Sequence, residues 1–240
     1  MKHIALLGDS IFDNKSYVNP SELDVPDQLR SLVGKDCKVT NLAVDGHVTR
    51  HIQTQLTHLP SDATHLFISV GGNDGLGHLS IFQHPIETVG EALQKMYKIG
   101  ENFKNVYSPM LDNVLKHRLP TSVCNIYYPR FHTNSLDRVS SYLRMGVNVE
   151  KLQHMAMAAE TIFNDIIMYE VFKRNLPLID LRVLCDDDQD FANPIEPSCI
   201  GGMKIAKTIH KIAIKHNFNK DISSDAYINW EILNHENKTF

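Results

Sequence analysis

Five short runs of apolar and β-branched residues, at 3–7, 37–42, 65–70, 123–128 and 176–181, punctuate the chain. Stretches with helical periodicity separate nearly every consecutive pair. The longest, 85–118, spaces Ile86, Val89, Leu93, Met96, Ile99, Phe103, Val106 and Met110 three or four residues apart. That is the apolar stripe of an amphipathic helix, with Pro109 expected to kink or split it. Further helices are expected over 149–174 and 202–216, the second with Ile205, Ala206, Ile209 and Ile212 on one face. Strands that alternate with helices form a parallel sheet covered on both faces, because each parallel connection crosses over the sheet right-handedly. The expectation is an α/β fold, a three-layer α/β/α sandwich on a five-stranded parallel sheet. In such sheets ligands bind at the carboxyl ends of the strands, so the polar residues that follow each run deserve inspection.

A chain of 240 residues that is 42% hydrophobic can build one sizeable core. One domain is expected over 1–216, followed at 217–240 by a polar, Asn-rich tail with isolated apolar residues at Ile222, Tyr227, Trp230 and Leu233. With 24 Lys+Arg against 28 Asp+Glu there is no basic excess to neutralise a phosphate backbone, which argues against a nucleic-acid partner. No apolar run approaches the roughly 18 residues of a spanning helix, and the four apolar residues Ile4 to Leu7 fall short of a signal-peptide core. A cytoplasmic protein without a membrane span is expected. The four cysteines are scattered without a C-x-x-C pair, so neither a zinc site nor a disulfide framework is indicated.

The first run ends in Gly8-Asp9-Ser10-Ile11-Phe12-Asp13-Asn14, the second in Asn41-Leu42-Ala43-Val44-Asp45-Gly46, and the third in Val70-Gly71-Gly72-Asn73-Asp74. On a parallel sheet these three segments share one edge. A serine hydroxyl, a glycine that lets a backbone come close, and an asparagine amide are the parts that attack a carbonyl and hold the resulting oxyanion. Each also has a plainer reading: Ser10 as a helix N-cap, Gly46 as a turn glycine, Asn73 as an Asx-turn residue. Asp9 is expected to order its loop by accepting backbone N–H bonds, and Asp13, Asn14, Asp45 and Asp74 to support the loops around it.

In this order and spacing, Gly8-Asp9-Ser10, Gly46 and Gly71-Gly72-Asn73-Asp74 resemble the first three blocks of the SGNH (GDSL) hydrolase family. The resemblance runs from about Ile4 to His216. It implies a flavodoxin-like sandwich and a cofactor-free, metal-free ester hydrolase with Ser10 as nucleophile. The oxyanion hole would be the Ser10 N–H, the Gly46 N–H and the Asn73 side chain. The partner implied is a small-molecule ester; nothing in the pattern specifies an oligomer.

The family's last block, D-x-x-H followed by Pro and a small polar residue, is replaced here by Asn193-Pro194-Ile195-Glu196-Pro197-Ser198. Glu196 takes the place of the histidine and Asn193 that of the aspartate, which resembles a variant subgroup of the family. A carboxylate lifted toward neutrality by burial can act as general base, and it needs no orienting aspartate; an Asn193 that donates a hydrogen bond to it would fit. Three histidines compete for the role: His47 beside Gly46, His78 after the Asn73 loop, and His132 after the fourth run. The sole D-x-x-H in the sequence, Asp62 to His65, opens the third run at the opposite end of the sheet. The expectation is therefore a serine-dependent esterase acting on a small O-acyl ester. The alternative is a catalytically impaired protein of the same fold that binds an acyl or sugar ligand without turnover.

Overall fold

The computed structural model describes residues 1–131, 148–218 and 226–227. In chain order the elements are β1 (Lys2–Gly8), α1 (Val25–Val33), β2 (Cys37–Asn41), α2 (Ile52–Leu56), β3 (His65–Ser69), α3 (Gly72–Leu76), α4 (Val89–Leu115), β4 (Thr121–Cys124), α5 (Val149–Lys173), β5 (Leu178–Ile179), α6 (Leu181–Leu184), β6 (Phe191–Asn193), β7 (Glu196–Pro197), α7 (Cys199–Lys215) and β8 (Ala226–Tyr227). Short 3-10 turns fill several connections. The sheet runs β2-β1-β3-β4-β5-β8 with every pair parallel. All five expected strands are present, and the two-residue β8, inside the segment read as a tail, adds a sixth at the edge.

Alternation along the central strands sorts the core into two layers. Ile4 and Leu6 of β1 and Phe67 of β3 join Leu29 of α1 and Ile205, Ile209 and Ile212 of α7. Ala5, Leu7, Leu66 and Ile68 point the other way, onto Phe103, Tyr107 and Leu111 of α4 and Ile167 of α5. Both faces of β1 and β3 are covered, so their side chains are apolar in succession, as in other parallel sheets.

Side-chain caps set the helix starts. Thr88 accepts from the Glu91 N–H, Asn148 from Lys151, and Ser198 from Ile200 and Gly201, each satisfying amides that have no partner within the helix. The long helix therefore begins at Val89 rather than near 85. Pro109 does not split it: α4 continues to Leu115, although a proline cannot donate the usual hydrogen bond to the preceding turn. Among the described residues no helix is long and apolar enough to cross a membrane.

The strand order reverses between β1 and β3, since β2 lies on one side of β1 and β3 on the other. Loops leaving β1 and β2 diverge from that leaving β3, and the crevice between them is where doubly wound sheets bind ligands. Gly8 sits at this point with φ 144°, and a Cβ there would fall 1.9 Å from the Ser69 carbonyl oxygen. Overpacking and backbone strain together should make Gly8→Ala destabilising by at least about 3 kcal/mol. Thermal or urea unfolding checks this; a wild-type midpoint would show that β1 and β3 can part there freely.

Candidate active site

Ser10 lies one residue past the peptide that β1 fixes against β3. The Asp9 N–H donates to the Ser69 carbonyl (3.1 Å), and the Phe12 and Asp13 amides return to the Asp9 carbonyl (3.1 and 3.0 Å). The Asp9 carboxylate, 2% exposed, accepts from the Ile11 N–H at 3.1 Å. A tight turn thus surrounds Ser10, whose own N–H and hydroxyl make no hydrogen bond to any described residue. Burial pushes the Asp9 carboxyl up to about 7, against the bond from Ile11, and the nearby charges of Asp74 and Asp45 add to the rise.

The Gly46 and Asn73 loops are tied to each other. Gly46 is exposed, with φ 79° and no hydrogen bond from its N–H to a described residue. Asn73, in the first turn of α3, donates through Nδ2 to the His47 carbonyl at 2.9 Å; the second hydrogen on that nitrogen remains available. Asp74 accepts from both the N–H and the hydroxyl of Thr49, each at 2.9 Å. Asp13 accepts from the Asp45 N–H (2.9 Å), and Asp45 from the Tyr17 hydroxyl (2.7 Å). These acids support loops, as expected.

Glu196, 5% exposed, opens β7, directly across the β6–β7 hairpin from Asn193. Pro194 and Ile195 form the connecting loop, and the side-chain Oδ1 of Asn193 accepts from the Ile195 N–H at 3.0 Å, an Asx turn. Asn193 therefore shapes the hairpin; the hydrogen bond to Glu196 that the sequence suggested is not formed. Three further contacts fix the hairpin against the loops of other strands. Asn14 Nδ2 donates to the Pro197 carbonyl (3.1 Å), the Tyr127 hydroxyl to that of Ile195 (2.8 Å), and the Arg130 N–H to that of Pro194 (2.8 Å).

Ser10, Asn73 and Glu196 line one cavity of about 110 Å³, together with Asp9, His78, Tyr127 and Glu160. Gly46 and Asn193 do not line it. Of the competing histidines, His78 is on the wall. His47 is not: its Nδ1 sits 2.9 Å from Gln55 Nε2 and its ring 4.4 Å from that of His51, and burial followed by the charge of His51 lowers its pKa. His132 lies outside the described residues. Asp62 and His65 are at the amino end of β3, where Asp62 pairs with His3 and Lys38 instead. Among the described residues no group of three or more His, Cys, Asp or Glu is placed to hold a metal ion.

Sequence reasoning missed the buried amides that hold the loops. Gln55, in α2, accepts from the Gly8 N–H (2.8 Å) and donates to the Gly8 carbonyl (2.7 Å). Asn164, in α5, does the same for Ile126 after β4, at 2.8 Å both ways. It also donates to Glu160 at 3.1 Å, and burial raises the Glu160 carboxyl well above the ordinary range.

No protein-family model matches the sequence, and no curated protein is similar to it in sequence. Its fold is similar to that of several solved lipases and esterases. An extracellular lipase from Streptomyces rimosus is 17% identical at a TM-score of 0.56, over 85% of this chain and 96% of the lipase. An acetyl xylan esterase is 13% identical at 0.58, over 88% and 100%. The psychrotrophic esterase EstA of a Pseudoalteromonas species, in a structure inhibited by monoethylphosphonate, is 12% identical at 0.56, over 90% and 100%. The chain thus has the three-layer α/β fold on which these lipases and esterases are built.

Two outcomes follow from the geometry. Asn14 is fully buried and also accepts from the Val25 N–H at 2.9 Å. Asn14→Ala strands that amide and the Pro197 carbonyl, at about 1–3 kcal/mol for each unsatisfied group, which urea unfolding would register; a change below about 0.5 kcal/mol would mean that water replaces the side chain. Asp9, with its pKa raised to about 7, holds a proton in the native state that the unfolded chain releases near pH 4. Its contribution to stability is then full below about pH 4 and lost as pH rises to about 7. Asp9→Asn should flatten that part of the stability–pH curve, and an unchanged slope would rule out the buried, protonated carboxyl.

Proposed function

We propose that this chain is a serine-dependent hydrolase of small O-acyl esters. In this reading Ser10 is the nucleophile, its N–H, the Gly46 N–H and Asn73 Nδ2 form the oxyanion hole, and Glu196 is the general base. The observation that carries it is the shared wall of one cavity: Ser10, with an uncommitted N–H and hydroxyl, opens onto the same space as Asn73 and Glu196. The Glu196 carboxylate takes the Ser10 hydroxyl proton as Oγ bonds to the acyl carbon, and the carbonyl oxygen gains its negative charge opposite the N–H donors. Collapse breaks the bond to the alcohol, which leaves with the proton from Glu196. Water, deprotonated in turn by Glu196, attacks the acyl-serine and releases the acid and free Ser10. Asn193 acts through the hairpin turn that presents Glu196, and no step needs a cofactor.

The solved esterase inhibited by monoethylphosphonate suggests the probe. A fluorophosphonate should label the wild type at Ser10, shown by peptide mass, and Ser10→Ala should lose both the label and hydrolysis of a p-nitrophenyl ester. Glu196→Gln keeps the size and removes the basicity, so kcat/KM should fall by about 10²-fold or more. If Glu196→Gln equals wild type while His78→Ala is inactive, the base is His78. If wild type neither takes the label nor turns over any ester, the chain binds its acyl or sugar ligand without reaction.

A further inference from the structure

Taking the hydrolase reading as its basis, we infer that His47, clamped by Gln55 as a neutral imidazole with its proton on Nε2, is the positioning residue of the oxyanion hole, setting the Gly46 N–H and the Asn73 amide. The place of the proton follows from the backbone. The Gly8 N–H can only donate and the Gly8 carbonyl can only accept, so the Gln55 atoms that meet them, at 2.8 and 2.7 Å, are Oε1 and Nε2 respectively. With the amide so oriented, Nε2 donates its second hydrogen to His47 Nδ1, 2.9 Å away. That nitrogen is therefore an acceptor, which leaves the proton of the neutral ring on Nε2.

His47 stands where the loops after β1, β2 and β3 meet. Its N–H donates to the Val44 carbonyl (3.1 Å), closing a four-residue turn in which Gly46 has φ 79°. The Val44 N–H ties the start of that turn to the Gly8 carbonyl (3.2 Å), and the His47 ring ties its end to Gly8 through Gln55. A turn held at both ends fixes the direction of the Gly46 N–H between them. The His47 carbonyl accepts from Asn73 Nδ2 at 2.9 Å, so the same residue sets the side-chain donor. Protonation would undo the clamp, because an imidazolium carries N–H on both nitrogens and its Nδ1–H would face the Gln55 Nε2 hydrogens. Gln55 cannot turn over to accept it without setting Nε2 against the Gly8 N–H and Oε1 against the Gly8 carbonyl. Burial lowers the His47 pKa first and the charge of His51, whose ring lies 4.4 Å away, second; Asp13, which accepts from the Asp45 N–H, acts in the other direction. Of the remaining groups around the turn, His51 Nδ1 accepts from the Val48 N–H, Asp45 from the Tyr17 hydroxyl, and Asp74 of α3 from Thr49.

Nitrogen NMR of the full chain with isotope-labelled histidine reads the tautomer, the His47 signals being those that vanish in His47→Asn. A protonated Nε2, a bare Nδ1 and a pKa below the ordinary 6.5 are expected. Gln55→Glu sets a carboxylate oxygen against Nδ1 and should raise the His47 pKa by at least about one unit. Hydrolysis of p-nitrophenyl acetate reads the positioning. Asparagine carries Oδ1 close to where histidine carries Nδ1, as an acceptor that does not titrate. His47→Asn should therefore keep kcat within about threefold of wild type at about pH 8, and should increasingly exceed wild type as pH falls below about 6. His47→Ala should lose at least about tenfold in kcat with KM within about twofold, because oxyanion donors act on the transition state. Thermal unfolding confirms that each variant folds. A proton on Nδ1, an unmoved His47 pKa in Gln55→Glu, or equal kcat for His47→Ala and His47→Asn each overturns the inference. A wild type that hydrolyses no ester overturns the hydrolase reading and the positioning role with it, while the Nε2–H tautomer would leave the clamp itself standing.

Discussion

The two hydrogen bonds between Gln55 and Gly8 hold the residue on which the candidate nucleophile's position depends. Gly8 closes β1 where the backbone passes too close to Ser69 for any side chain, and its N–H and carbonyl are buried at the point where the strand order reverses. An unpaired buried amide or carbonyl costs about 1–3 kcal/mol. One buried glutamine, 3% exposed, pairs with both groups, beside the Val44 N–H that also donates to the Gly8 carbonyl at 3.2 Å, and it touches His47 with the same nitrogen. The loop after β1 and the loop after β2 are thereby fixed to a single side chain. From this point Asp9 can turn the chain back on itself and leave the Ser10 N–H directed at nothing in the described protein.

The same device recurs around the carboxyl edge. Asn164 clamps Ile126, and Gln153 accepts from the Phe131 N–H (2.9 Å) while donating to the Pro129 carbonyl (2.5 Å). Asn125 joins β4 to the segment after β5 through the Leu181 N–H and Asp180, both at 2.7 Å. Asn14 joins the first loop to the hairpin of Glu196. Loops at this edge leave the sheet ladder and lose their regular hydrogen bonds, yet they must stay ordered if side chains from four strands are to meet. An amide, with a donor and an acceptor on one planar group, is suited to capping a peptide in this way and adds no charge to an apolar interior.

The sheet was legible in the sequence because burial of both faces writes itself as short, nearly continuous apolar runs, and the amphipathic stripes of α4, α5 and α7 are as plain. The turn residues after β1, β2 and β3 were legible too, since Ser10, Gly46 and Asn73 stand where a parallel sheet collects its polar groups. The clamps were not. A Gln at position 55 or an Asn at 164 in a helical stretch reads as a solvated position, and only the packing of α2 and α5 against the sheet puts them at 3% and 0% exposure. The sixth strand escaped for a related reason: two residues in a polar segment have no periodicity to detect. Position 193 could be read in the sequence as an orienter of Glu196 or as a turn residue, because an Asx turn and a side-chain orienter use the same asparagine.

On the proposed reading, the turn at Asn193 bears on how a carboxylate could serve as the base of a serine hydrolase. An imidazole needs a partner on its second nitrogen to fix its tautomer, and an aspartate normally provides it. A carboxylate has two equivalent oxygens and no tautomer, so the demand shifts from electronic orientation to placement of the backbone. The β6–β7 hairpin meets that demand. Its turn is closed by Asn193 from within, and its three carbonyls at Pro194, Ile195 and Pro197 are held by Arg130, Tyr127 and Asn14, from the loops after β4 and β1. The loop that carries Ser10 and the strand that carries Glu196 are thus joined by Asn14 alone among the three. On the proposed reading, the alignment of nucleophile and base rests on a buried amide that touches neither the substrate nor the proton it helps to move.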